Sequence, residues 1–126
     1  MQTGLVLFAH GARDPRWAEP FEQLRDRVAA MAPGQIVVLA FLEHLSPDLP
    51  AAVAAMAREG VDRVRVVPLF FGRGGHLRED FPKQLEKARG ACPSVSFEVT
   101  EAAGENDVVQ AALAAFALTG RAVGSN

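Results

Sequence analysis

The chain has 126 residues, a formal net charge of −2, and close to half of its residues are hydrophobic. This composition is typical of one globular domain, and it favours neither nucleic-acid binding nor a membrane span. The single cysteine, Cys92, excludes an intrachain disulfide and a cluster of cysteine ligands, and we interpret it as a small, semi-buried side chain. No basic segment precedes the first apolar run, so we expect no secretory signal and a cytoplasmic protein.

The first predicted strand, residues 5–9, is a short apolar run that ends at His10. A glycine and a short polar loop follow. Asp14 and Pro15 are typical of a helix start, because the carboxylate accepts free backbone N–H groups and proline fits the first helical position. The segment therefore predicts a strand, a loop and a helix, with His10 at the carboxyl end of the strand. In open parallel sheets, ligands bind at this edge.

The remaining chain predicts further helices and strands in alternation. Apolar residues three or four apart predict a first helix over 16–32, with Met31 on its core face, and Met56 is assigned to the core face of the second. Pro68 interrupts the third predicted strand by removing a backbone donor, so a local irregularity is expected there. The other strands are predicted at 36–42, 63–71 and 95–100, and the other helices at 49–59, 80–89 and 107–118.

This order predicts the α/β class: a doubly wound, four-stranded, mainly parallel sheet with helices on both faces. Right-handed crossovers favour the strand order 2-1-3-4. We interpret residues 1–118 as a single domain and residues 119–126 as a disordered tail.

Two histidines and a carboxylate are predicted to meet at the point where the strand order reverses. His10 follows the first strand, His76 follows the third, and Glu43 ends the second. Neighbouring strands lie about 4.8 Å apart, so these side chains can reach one crevice. Imidazole and carboxylate together suit a borderline divalent metal, with positions left free for substrate or water. For Glu43 the alternative is a solvated or helix-capping residue, and His44 is interpreted as structural or exposed.

Glycines and arginines surround the predicted histidine site in the sequence. The loop after the third strand contains glycines, which let the backbone approach a ligand closely, but it matches no nucleotide-binding pattern. Guanidinium groups recognise carboxylates or phosphates, so the arginines are candidates for an anionic substrate, with solvated surface positions as the alternative. The glycines are Gly72, Gly74 and Gly75, and the arginines are Arg13, Arg16, Arg73 and Arg78.

Several segments taken together resemble the sirohydrochlorin chelatases of the CbiX type, in their small form. The resemblance extends over residues 5–116 and is carried by residues 8–15, 40–43 with Pro47, 67–71 and 75–82. It implies a chelatase-like half-domain that forms a homodimer. The implied activity is insertion of Co²⁺, Fe²⁺ or Ni²⁺ into a sirohydrochlorin-type tetrapyrrole, in cobalamin or siroheme biosynthesis, without an organic cofactor.

The resemblance also implies residue roles. His10 corresponds to a proton acceptor and metal ligand, His76 to a second metal-binding histidine, and Glu43 to an acidic residue of the site. Substrate contacts would come from Ser46 and from the loop residues Phe70, Phe71, Gly72, Arg73, Gly74 and Gly75, with Arg13 and the other arginines pairing with peripheral carboxylates. The chain departs from the family at Ala12, where serine is common, and at Ser46, where some relatives have an acidic residue.

Two rival functions remain open from the sequence. A non-catalytic carrier of divalent metals would use the same histidines without acting on a tetrapyrrole. A histidine phosphatase also has His-Gly after its first strand, but it requires an arginine immediately before that histidine, and Ala9 occupies this position.

Overall fold

The computed structural model describes residues 2–72, 74 and 77–124. Its strands are Thr3–Ala9 (β1), Ile36–Phe41 (β2), Arg63–Pro68 (β3) and Ser96–Val99 (β4). The α-helices are Glu19–Met31 (α1), Leu49–Arg58 (α2), Leu77–Ala91 (α3) and Asp107–Thr119 (α4), with short 3-10 turns at Pro15–Ala18 and Ala103–Glu105. The four strands are parallel, in the order β2-β1-β3-β4, which confirms the predicted doubly wound sheet.

The central strand β1 supplies side chains to a core on each face of the sheet. Val6 and Phe8 belong to the larger core, which α2 and α3 cover, whereas Leu7 and Ala9 belong to the smaller core under α1. This alternation arises because successive side chains of a strand point to opposite faces of the sheet. His10 comes next after Ala9, and its ring contacts Phe70 of the larger core.

The first helix differs from its prediction at both ends. The segment begins as the 3-10 turn and becomes α-helical only at Glu19. Met31, predicted to lie in the core, is 80% exposed. The helix ends at this residue, and its contacts with the core under α1 are made by Phe21 and Val28. Met56 is buried on α2, as predicted.

The third strand ends at Pro68, three residues earlier than predicted. Proline has no backbone N–H to continue the ladder. The next residue, Leu69, still donates its N–H to the Phe8 carbonyl at 2.7 Å. The predicted irregularity is therefore the end of the strand, and Phe70 and Phe71 lie in the loop that follows.

The last helix forms as predicted but buries none of its residues. Asn106 caps it, its side-chain oxygen accepting from the Val108 and Val109 N–H groups at 2.9 and 3.2 Å. The helix packs mainly against the 3-10 turn before it rather than against the sheet. Its exposed apolar side chains are Val108, Leu113, Phe116 and Leu118. Within the described part of the chain, no helix is long and apolar enough to cross a membrane.

Candidate active site

Backbone hydrogen bonds hold His10 at the carboxyl edge of the sheet. On one side the Leu42 N–H donates to the Ala9 carbonyl at 2.8 Å, and on the other the Leu69 N–H donates to the Phe8 carbonyl. The chain therefore stays paired on both sides up to the residue before His10. This is the strand-order reversal at which the sequence places a ligand site.

The His10 ring is paired with Glu43. Nδ1 of His10 lies 2.9 Å from Oε1 of Glu43, and the Gly11 N–H donates to Oε2 at 3.0 Å. An ionised carboxylate only accepts hydrogen bonds, so the pairing places a proton on Nδ1 of the ring. The lone pair of a neutral imidazole then lies on Nε2, where it can accept a proton or bind a metal. About half of the His10 side chain is exposed.

The environment keeps Glu43 ionised. Partial burial raises the pKa of the Glu43 carboxyl. Three effects lower this pKa by more: the hydrogen bond from the Gly11 N–H, the hydrogen bond with His10, and the electrostatic interaction with His10 and His44. The net effect is a pKa below the ordinary value for glutamate. Glu43 is therefore a carboxylate at neutral pH and holds the Nδ1 proton of His10.

Three neighbouring residues set the position of the pair. A Cβ atom on Gly11 would lie 1.8 Å from the Glu43 carbonyl oxygen, so only glycine permits this close approach of the two loops. The Trp17 indole N–H donates to the His10 carbonyl at 2.7 Å. Phe70 packs against the ring itself, with the centroids 4.7 Å apart in an edge arrangement.

An open cavity of about 400 Å³ lies between this pair and α3. Gln84 ties the helix to the β2 loop, because its Nε2 donates to the Leu42 carbonyl at 2.8 Å and its Oε1 accepts from the Leu49 N–H at 3.2 Å. The cavity is lined by His10, Leu42, Glu43, Asp80, Lys83, Gln84 and Lys87.

A second cavity of about 540 Å³ adjoins the first and shares Leu42, Glu43 and Gln84 with it. Ser46 lines this second cavity, together with His44. His44 is exposed. Its φ of 69° is a left-handed backbone conformation, so the extended backbone of β2 does not continue to this residue.

The structure brings some predicted site residues together and separates others. Phe70 is buried and contacts His10, whereas Phe71 is 71% exposed. Arg13 is exposed and lines neither cavity, and Gly72 and Gly74 are exposed. Arg16 is paired with Asp14 at 2.7 Å.

The remaining predicted loop residues, Arg73, Gly75 and His76, lie outside the described residues. Among the residues that are described, no group of three histidine, cysteine, aspartate or glutamate side chains is placed to hold a metal. The three-ligand metal site therefore stays a prediction, since it depends on His76.

Several residues around the site are absent from the sequence prediction. They are Trp17 and the three α3 residues Lys83, Gln84 and Lys87. The signal was available for the lysines: they are the only two in the chain, and they lie four residues apart on one predicted helix.

The fold and the site define a doubly wound α/β protein with a histidine–carboxylate pair at the carboxyl edge of its parallel sheet. The chain belongs to the CbiX family, whose family model matches residues 4–117. It is 36% identical over 83 residues to a sirohydrochlorin cobaltochelatase of Methanopyrus kandleri, covering 66% of this chain but 58% of that relative. It is 33% identical to one from Sulfurisphaera tokodaii, covering 69% and 71% of the two chains.

Two solved structures share the fold. A cobalamin biosynthesis CbiX protein from Marinobacter aquaeolei VT8 superposes with a TM-score of 0.80 at 30% identity, over 92% of this chain and 94% of that one. The sirohydrochlorin chelatase SirB from Bacillus subtilis subspecies spizizenii, in complex with cobalt, also gives 0.80, at 20% identity. That match covers 94% of this chain and 50% of the SirB chain, so the present fold corresponds in length to half of SirB.

Proposed function

We propose that the protein inserts a divalent metal, with cobalt the first candidate, into sirohydrochlorin. The observation that carries the proposal is the His10–Glu43 pair, which engages Nδ1 of an imidazole that lines an open cavity at the ligand edge of the sheet. Relatives named as sirohydrochlorin cobaltochelatases support the substrate and the metal. Fe²⁺ and Ni²⁺ are the alternative metals, because imidazole and carboxylate accept all three.

Metal insertion requires that two pyrrole N–H protons leave while the ring nitrogens replace the ligands of the metal. In our proposal, Nε2 of His10 takes one pyrrole proton, and the Glu43 carboxylate stabilises the resulting imidazolium through Nδ1. The second pyrrole proton passes to water in the open cavity. The geometry suits Glu43 to this part better than to direct metal ligation, since both of its oxygens already accept hydrogen bonds. Glu43 as a direct metal ligand is the other assignment.

His76 is proposed as the histidine that delivers the metal, so that one imidazole need not bind the metal and accept a proton at once. The flat macrocycle would lie along the loop after β3, where Phe71 offers an exposed ring and Gly72 and Gly74 leave the backbone accessible. Ser46, in the adjoining cavity, would contact the substrate edge.

The proposal is tested by following the absorbance of sirohydrochlorin with purified protein and Co²⁺, Fe²⁺ or Ni²⁺, against metal alone. We expect the protein to accelerate insertion, and His10→Ala and His76→Ala each to reduce the rate by about 100-fold or more. Arg27→Ala is the control, because Arg27 is exposed on α1 and lines neither cavity, and it should retain the rate. Full rates in both alanine variants would contradict the assignment.

The same assay separates the proposal from a metal carrier. A carrier would bind Co²⁺ in an equilibrium titration. It would not accelerate metal insertion, so the absorbance of the metal-free tetrapyrrole would change at the same rate as with metal alone. We further propose that the protein acts in the cytoplasm, as expected from the sequence.

We propose that two copies associate. The apolar side chains that α4 leaves uncovered support this, because a helix with Leu113, Phe116 and Leu118 exposed presents a surface that needs a partner. The length of the SirB chain, twice the matched part, is consistent with a pair of such domains.

A further inference from the structure

The cavity beside His10 is positively charged on its α3 side. Lys83 and Lys87 line it, and they are the only lysines in a chain that has eleven arginines. Four residues apart on one helix, they present neighbouring charges on the same face. Three of the predicted anion-binding residues are described, Arg13, Arg16 and Arg78, and none of them lines this cavity.

Neither lysine forms an ion pair within the described part of the chain. Asp80 lines the same cavity, three residues before Lys83 on α3, and offsets one of the two positive charges. The α3 side of the cavity therefore keeps a net positive charge.

The helix that carries the lysines is held in place against the catalytic pair. Gln84 lies between the two lysines in the sequence. Its side chain donates to the Leu42 carbonyl and accepts from the Leu49 N–H. The backbone positions of the two lysines relative to the β2 loop are thus fixed, whereas their side chains can move. A ligand that contacts both lysines and His10 would carry anionic groups on the side that faces α3.

We propose that Lys83 and Lys87 form a binding site for the peripheral carboxylates of the tetrapyrrole and so orient its ring nitrogens toward His10. This assignment rests on the proposed function and names the part of the site that recognises the substrate. The ammonium group of lysine, on a flexible stem, can follow the acetate and propionate groups that surround such a macrocycle.

The test measures binding of metal-free sirohydrochlorin by fluorescence titration, with no metal present. Lys83→Gln/Lys87→Gln should weaken binding about tenfold, whereas Lys83→Arg/Lys87→Arg should retain it within about twofold. Arg27→Gln/Arg58→Gln is the control, since it removes the same charge from exposed positions on α1 and α2. An equal loss in the control would mean a long-range charge effect and would overturn the site, as would unchanged binding in the lysine variant.

A second probe identifies the recognised groups. A fully methyl-esterified sirohydrochlorin should bind the wild type and the Lys83→Gln/Lys87→Gln variant equally, and a tenfold difference with this neutral probe would contradict carboxylate recognition. Turnover of the wild type with Co²⁺ is measured separately. If it fails while the lysine variant still weakens binding, the chelatase proposal falls and the binding site stands.

Discussion

At the scale of residues, His10 depends on three neighbours. Glu43 holds one side of the ring, Phe70 packs against it, and the Trp17 indole N–H fixes the backbone carbonyl. A histidine alone would be free to rotate and to exchange its tautomers. The pair therefore fixes the ring and its tautomer before any ligand arrives, and such preorganisation lowers the cost of reaching a reactive geometry.

Glu43→Gln tests the carboxylate. The amide can still hydrogen-bond with His10 but cannot stabilise an imidazolium, so we expect the insertion rate to fall about 10- to 100-fold with little change in fold. Because the pKa of Glu43 is lowered, its carboxyl is ionised at neutral pH, where the initial rates of the variant and the wild type are compared. A Glu43→Gln variant with the wild-type rate would contradict the role.

At the scale of elements, the site exists because two loops approach closely. The β1 and β2 loops meet where Gly11 faces the Glu43 backbone, and α3 is joined to the β2 loop through Gln84. The 3-10 turn at Ala103–Glu105 likewise packs on the loop after β3, where a Cβ on Gly104 would lie 1.9 Å from the Phe71 carbonyl oxygen. These contacts position the loops that the strands deliver to the edge.

Gly11→Ala should therefore destabilise the protein by about 1–3 kcal/mol and displace Glu43, since backbone rather than a flexible side chain must move. Chemical unfolding measures the loss. Gly34→Ala is the control, because a Cβ there meets no atom within 4 Å, and it should be neutral or slightly stabilising. Equal stability of the two variants would show that the loop approach does not need glycine.

At the scale of the molecule, the sheet is covered unevenly. Helices α2 and α3 cover the larger core, and α1 covers the smaller one. Helix α4 buries none of its residues, and its large apolar side chains are exposed. A monomer would expose this surface to water. Association of two copies through α4 would remove it.

Phe116→Glu should shift the protein from dimer to monomer, because a charge in the centre of an apolar interface has no partner. Light scattering after gel filtration gives the mass directly. The same change at Met31, an exposed apolar residue at the end of α1, is the control and should leave the mass unaltered. A monomeric wild type would contradict the interface, and a dimeric Phe116→Glu variant would place it elsewhere.

Periodicity and apolar runs in the sequence determined the elements, their order and the parallel sheet, because those patterns report directly which residues must leave water. They also located His10 and Glu43 at the ends of neighbouring strands. Only the tertiary structure decided that these two side chains pair, that Phe70 is buried while Phe71 is exposed, and that the lysines of α3 line the cavity. The exposure of Met31 and of the apolar side chains of α4 was not predicted, because a helix pattern shows which face is apolar, whereas the packing of the chain in three dimensions decides whether that face is covered.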